Sequence, residues 1–308
     1  MLANLLITIL ISSQILLPLN SGEVLGVQEQ NNQLQQKGST QEGWSQPVPQ
    51  RIINNNLGVK VSASNAIVID VASNKILFDK NSNQQRPIAS ITKLITALVY
   101  LDTQPDLQSE IQIQNNDLNK NDGRANLLLN EKILAFDLLH LVLIASDNDA
   151  TMALVRSTGL SREEFVKKMN IKAKGLGLEK TNFEDSVGLS AKNISTAFEV
   201  SQILKLAMRH STIAKILPNK NYSFKSLSDK YHRAESTNKL LLINPLFQWR
   251  VLGGKTGFID EAGYCFATLS EVNNHKIITV VLGSASDSER FQDTKSLIQW
   301  ISENYIWK

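Results

Sequence analysis

Ser90 and Lys93 stand three residues apart in the run Ile88 to Val99, whose apolar periodicity predicts a buried helix. Residues at that spacing are neighbours on a helix surface, so the hydroxyl and the amine come within hydrogen-bond reach of each other. The pair is a nucleophile beside a potential base. Pro87 marks the helix entry, and a serine in the first turn lies among backbone N–H groups that have no helical partner and can hold a developing oxyanion. A free lysine titrates near pKa ~10.4 and is an ammonium ion at neutral pH, unable to accept a proton. Lowering that value by about three units costs about 4 kcal/mol. The rest of the chain must therefore supply a closed, partly apolar site and a second cation.

Two other triplets offer such groups. Ser146-Asp147-Asn148 follows the apolar segment Ile133 to Ala145, and Lys255-Thr256-Gly257 opens a predicted strand. Each has a plain structural reading when taken singly. Ser146 and Asn148 can cap a helix beginning near Ala150, and Lys255 to Gly257 can be a strand start after Gly253-Gly254. Asp147 reads equally as an N-cap or as a substrate contact. Ser236-Thr237-Asn238-Lys239 repeats the Ser90 to Lys93 spacing, but in a polar, strand-like context without a buried helix.

The elements that must position these residues follow from the hydrophobic pattern. Ala66 to Val71 and Lys75 to Phe78 read as a hairpin, and Val251 to Phe258, Gly263 to Val272 and Lys276 to Gly283 as three strands, the last two joined at Asn273-Asn274. Helical periods cover Ile133 to Ala145, Ala150 to Ser157, Arg162 to Lys174 and Thr196 to His210, with turns at Gly159, Gly175 to Gly177 and Gly188. A last helix, capped by Ser286 or Asp287, places Phe291, Thr294, Ile298, Ile301 and Tyr305 on one face. The expected fold is mixed α/β. One antiparallel sheet is built from both ends of the domain and flanked by helices, with a helical lobe inserted between; the cleft between them is the natural site.

The 308 residues suffice for one large domain or two small ones, and the net charge of +3 gives no sign of nucleic-acid binding. The single cysteine, Cys265, excludes an intrachain disulfide and reads as a small buried hydrophobe. His140, inside an apolar helix, reads as a core residue, and no spacing suggests a metal site. Leu5 to Leu19 is apolar but too short to span a bilayer, so residues 1–26 read as an export signal or N-terminal anchor, a membrane tether if retained. Residues 27–56 are rich in Gln and Asn and read as a disordered linker, with the folded domain at 57–308.

With the three triplets in this order, the chain from about Ser64 onward resembles the low-molecular-weight serine penicillin-binding proteins, the D-alanyl-D-alanine carboxypeptidase and endopeptidase family. The likeness extends to Arg86-Pro87-Ile88-Ala89 ahead of Ser90. It includes Phe183, Gly188-Leu189, Asn193 and Ser195-Thr196 in the middle of the chain, and Ala262-Gly263-Tyr264-Cys265 near its end. It is nearest to the endopeptidase type, because many carboxypeptidases of the family continue beyond the terminal helix into a β-rich domain and a membrane-associating tail. The resemblance implies a β-lactamase/transpeptidase-like fold and no cofactor. It also implies peptidoglycan stem peptides as substrate, β-lactams as covalent inhibitors, and a location at the cell wall, on the periplasmic or extracellular face of the cytoplasmic membrane.

On that reading Ser90 attacks a D-alanyl carbonyl while neutral Lys93 takes its proton. Lys255 supplies the second cation and, with Thr256, attracts the substrate carboxylate. Ser146 relays the proton to the leaving amine, Asn148 offers a donor and an acceptor to the peptide, and Gly257 lets substrate backbone approach the strand edge. The resemblance makes the backbone N–H groups of Ser90 and Phe258 the oxyanion hole. Four alternatives stay open: a D,D-carboxypeptidase, a β-lactamase, a serine esterase, and a catalytically idle wall-binding module. Against the β-lactamase, the glutamate-held water motif of the class A enzymes is missing between Ser161 and Asn193, where Glu163, Glu164, Glu179 and Glu184 occur without it.

Overall fold

The computed structural model describes residues 47–52, 58–118, 124–242 and 248–308. The apolar N-terminal segment, and the Gln/Asn-rich stretch up to residue 46, lie outside the described residues. Among the described residues no helix is long and apolar enough to cross a membrane.

Five antiparallel strands form the main sheet. Across it run Trp249–Ile259, Gly263–Val272, His275–Ser284, Asn65–Asp70 and Ile76–Lys80, so strands from the two ends of the chain meet at the third and fourth places. Asn65–Asp70 is buried throughout because the sheet is covered on both faces. Side chains alternate between faces along a strand. Ile67 and Ile69 accordingly join one core with Ile278 and Val280, while Ala66 and Val68 join another with Phe266, Phe291 and Trp300. The helix Ala197–Ala207 packs on the first face and the C-terminal helix Asp287–Asn304 on the second. Asn273 and Asn274, both at positive φ, make the tight turn between the central strands.

Several expectations are corrected. The fold reaches back past residue 57: Pro49–Arg51 pairs with Tyr305–Trp307, inside the stretch expected to be linker. Tyr305 therefore opens a strand, and the helix ends at Asn304. Lys132–Leu134 is a short strand paired with Glu110–Gln112, so the helix expected from Ile133 starts at Ala135. Its final turn, Leu141–Ala145, is wound as a π-helix. The hairpin Asn221–Lys225 and Tyr231–Glu235 was not anticipated, because its alternate residues are largely polar or half-exposed. Cys265 and His140 behave as expected of core residues. Cys265 is fully buried, which pushes its thiol up to about 11, and His140 stacks on Tyr222 at 3.9 Å with Nδ1 2.8 Å from the Phe136 carbonyl.

Candidate active site

Ser90 lies on a 3-10 turn, Ala89–Thr92, rather than in the α-helix itself, which begins at Lys93. The turn is entered through Ala89 at φ +48°, a left-handed conformation that an alanine adopts only under constraint. Two glycines supply that constraint. A Cβ on Gly188, itself at φ +90°, would stand 2.2 Å from the Ala89 carbonyl oxygen, and one on Gly257 would stand 2.8 Å from the Ile88 oxygen and 3.1 Å from the Ser90 nitrogen. Both backbones press on the Ser90 turn, one from the lobe and one from the sheet.

Lys93 is fully buried. Its Nζ donates to the Asn148 Oδ1 at 2.5 Å and to the Val187 carbonyl at 2.6 Å, and lies 3.0 Å from Ser90 Oγ. Asn148 thus spends the acceptor half of its amide on the lysine, not on substrate as the sequence suggested. Ser146 terminates the π-helix at φ +62°, which turns its hydroxyl toward the sheet, 2.6 Å from Lys255 Nζ. Lys255 is fully buried as well, on the free edge strand of the sheet. Burial holds its ammonium well below the ordinary lysine value, and the positive charges of Lys93, Arg124 and Arg290 push the same way. The two lysines therefore form one electrostatic unit in which the doubly protonated state is disfavoured. Next to it, Thr256 Oγ1 donates to Thr237 Oγ1 at 2.7 Å. Phe258, half exposed, stacks on Tyr264 at 4.3 Å.

All the residues singled out in the three triplets converge here except Asp147. Its carboxylate accepts from the backbone of Ala150 at 2.7 Å and of Ala125 at 2.7 Å, so it caps the helix Asn148–Ser157 and ties a neighbouring loop to it. The decoy resolves differently. Lys239 is exposed and pairs with Asp287, but the intervening Thr237 enters the site as the partner of Thr256.

Three contributors escaped the sequence reading. Asp185 accepts from the backbone N–H groups of Val187, Gly188 and Ser190, with 2.7 Å to Val187 and 2.6 Å to Ser190. Its carboxylate folds the loop that delivers the Val187 carbonyl to Lys93, and the Asp-x-x-Gly pattern is the turn signal that could have found it. Arg290 donates from Nη1 to the Gly257 carbonyl at 3.0 Å and braces the edge strand. Thr237 carries no local signal at all. Among the glutamates weighed above, Glu164 belongs to the capping box of its own helix and Glu184 pairs with Lys192.

A buried amine beside a hydroxyl and a second buried lysine on an edge strand of the sheet are parts of an acyl-transfer site. The comparisons with known proteins agree with that geometry. The sequence profile of the D-alanyl-D-alanine carboxypeptidase family, peptidase family S11, matches residues 51–286. A D-alanyl-D-alanine endopeptidase of Haemophilus influenzae is 35% identical over 240 residues, 77% of this chain and 81% of that protein. One of Escherichia coli K12 is 29% identical over 249 residues, 80% of this chain and 79% of that protein. The crystal structure of the Streptomyces K15 DD-transpeptidase superposes with a TM-score of 0.73 at 26% identity, over 79% of this chain and 98% of that one. The chain belongs to the D-alanyl-D-alanine carboxypeptidase family of serine peptidases.

Proposed function

We propose that the protein cleaves D-alanyl bonds of peptidoglycan stem peptides through an acyl-enzyme on Ser90, acting chiefly as an endopeptidase on cross-links. The observation that carries the reading is the environment of Lys93 Nζ. A neutral amine has two N–H bonds and one lone pair. On a neutral amine the Asn148 and Val187 oxygens can take the two hydrogens, which leaves the lone pair for Ser90 Oγ, 3.0 Å away.

The substrate backbone adds to the free edge of the strand Trp249–Ile259 as a further antiparallel strand. Its carboxylate is drawn to Lys255 and Thr256, which places the scissile carbonyl over Ser90. Ser90 Oγ bonds to that carbon while its proton passes to Lys93, and the oxyanion sits against the N–H groups of Ser90 and Phe258. The C–N bond then breaks as the leaving amine takes a proton through Ser146, whose hydroxyl is held by Lys255. Water attacks the ester, and Lys93 serves again as base. β-Lactams acylate the same serine, and the acyl-enzyme they form is long-lived because the glutamate-held water motif of the class A enzymes is missing from the sequence between Ser161 and Asn193.

The preference for cross-links is supported by the endopeptidases among the relatives, one of which is 35% identical. A carboxypeptidase, DacF of Bacillus subtilis, is 29% identical over 248 residues, and removal of a terminal D-alanine is the second reading. Both substrates present a carboxylate beside the scissile amide. Such a substrate lies outside the cytoplasm, so the apolar segment Leu5 to Leu19 serves export to the wall.

Incubating the protein with a cross-linked muropeptide dimer and, separately, with a pentapeptide monomer decides between them, with Ser90→Ala as the blank and mass spectrometry as readout. Monomers released from the dimer are expected. Loss of only the terminal D-alanine would make the protein a carboxypeptidase, and no Ser90-dependent product in either tube would return the case to a wall-binding module.

A further inference from the structure

We infer that the buried pair His232 and Glu131 positions Ser146 and Asn148 for acyl transfer, acting through the backbone of Ala125 and the carboxylate of Asp147. The inference deepens the D-alanyl peptidase reading and rests on it. His232 lies on the strand Tyr231–Glu235 and Glu131 just ahead of the strand Lys132–Leu134, and both are almost fully buried. His232 Nε2 stands 2.6 Å from Glu131 Oε1, and Nδ1 stands 3.1 Å from the Ala125 carbonyl oxygen. A carbonyl oxygen only accepts, so Nδ1 carries a hydrogen and donates it to Ala125. A second hydrogen lies between Nε2 and Oε1. Glu131 also accepts from the Leu128 N–H at 3.0 Å and has Lys230 Nζ at 4.0 Å, while Phe224 stacks on the imidazole at 4.9 Å. The ring is thus held by its edge and its face.

The residue it grips leads to the site. Ala125 donates its N–H to Asp147 Oδ2 at 2.7 Å, and Asp147 Oδ1 accepts from the Ala150 N–H at 2.7 Å. Asp147 stands between Ser146, whose hydroxyl is 2.6 Å from Lys255 Nζ, and Asn148, whose Oδ1 is 2.5 Å from Lys93 Nζ. Next to Ala125, Arg124 donates to the Ala145 carbonyl at 3.1 Å, one residue ahead of the same triplet. Just past the His232 strand, the Thr237 N–H reaches the Ile144 carbonyl at 3.1 Å. The triplet is therefore clipped from outside, and Ala125 is the link that His232 holds. Ser146 follows a π-helical turn at φ +62°, so a shift of Asp147 passes to the serine and the asparagine on either side of it. Small displacements of such groups cost rate more than they cost binding.

The test separates the two ring nitrogens. An asparagine amide reaches about as far from the backbone as Nδ1, and a glutamine amide about as far as Nε2. His232→Asn therefore keeps the bond to Ala125 and loses the one to Glu131, whereas His232→Gln does the reverse. A merely structural role favours the glutamine, which leaves no buried carboxylate unpaired. A positioning role favours the asparagine. With the full chain and the saturating rate of Ser90 acylation by benzylpenicillin as readout, His232→Gln is expected to react ~20-fold more slowly than the wild type and His232→Asn within ~3-fold of it, although His232→Gln melts at the higher temperature. Adding Glu131→Gln to His232→Asn removes the unpaired buried charge, and this double variant carries the comparison where the single one does not fold. Acylation by His232→Gln as fast as by the asparagine variant, counted per folded molecule, would make His232 a core residue only and leave the peptidase reading standing. Wild-type protein that takes no label at Ser90 would sink the peptidase reading and the positioning role with it.

Discussion

The two walls of the active site are built by different means. The sheet wall, from Lys255 to Phe258, is part of a strand whose register is set by regular pairing with Gly263–Val272, and Arg290 braces it at the Gly257 carbonyl. The lobe wall, from Ser146 to Asn148 and from Asp185 to Gly188, has no such ladder. A π-helical turn, a serine at φ +62° and two carboxylates, Asp147 and Asp185, hold it by side chain to backbone bonds. Repetitive main-chain pairing spreads its stability over many residues, while a loop clasped by one carboxylate concentrates it in that group. The lobe wall should therefore fail at single positions where the sheet wall yields gradually.

The largest effects belong to the centre that both walls serve. Ser90→Ala is expected to abolish covalent labelling by a fluorescent penicillin and to lower peptide cleavage by ~1,000-fold or more, with thermal stability unchanged. Labelling that survives would break the assignment of the nucleophile. Lys255→Met should separate function from stability within the sheet wall. It removes the proposed carboxylate anchor, so cleavage should fall by ~100-fold or more, yet it also removes a fully buried amine. The folded-state pKa of Lys255 is lowered, so the unfolded chain binds the proton more tightly and the charge penalty on folding is fully present below the folded value. Wild-type stability accordingly rises with pH from that value up to ~10.4. Denaturant melts should show Lys255→Met gaining on the wild type at pH 6, with the advantage shrinking by pH 10. A pH-independent difference would mean that the folded and unfolded chains hold the Lys255 proton equally and that packing alone decides.

How far the sequence could be read follows the same division. The five strands and the covering helices were legible because alternation and the 3.6-residue period report burial directly, and Ser90 and Lys93 because their contact is local to one turn. The sheet wall came with its strand. On the lobe wall, the sequence marked Ser146 and Asn148 but left Asp147 between two roles, since a cap and a substrate contact demand the same residue type. Asp185 and Thr237 were passed over. Their partners, the Val187 loop over Lys93 and the Thr256 hydroxyl, depend on how separate segments meet, and periodicity carries no record of that. The same reason explains Tyr305, which keeps the helical spacing but is drawn into a strand by Pro49–Arg51.

The contrast between the walls is sharpest in their supports. Asp185→Ala leaves the N–H groups of Val187, Gly188 and Ser190 without their carboxylate, which should lower stability by ~2–3 kcal/mol and penicillin acylation by ~100-fold. Gly188→Ala should act similarly, because its Cβ meets backbone that cannot move aside. Asp185→Asn keeps one acceptor oxygen and should recover part of the rate. Were Asp185→Ala to acylate at the wild-type rate, the lobe wall would not depend on its clasp and the comparison would collapse.

Thr237→Val provides the smallest and most discriminating change. It keeps the shape of the side chain and deletes the hydroxyl that accepts from Thr256 Oγ1 at 2.7 Å. The Thr256 backbone stays in its ladder with Phe266, so the wall does not move; only the rotation of one hydroxyl is released. If the Thr256 hydroxyl serves the substrate carboxylate, releasing its proton from Thr237 is a binding effect, with KM shifted ~5-fold for a peptide and kcat nearly constant. A sheet wall held by pairing can lose a side-chain contact at that scale, whereas a hundredfold fall in kcat would show that Thr237 orders more of the site than its one bond and that the sheet wall, too, hangs on single residues.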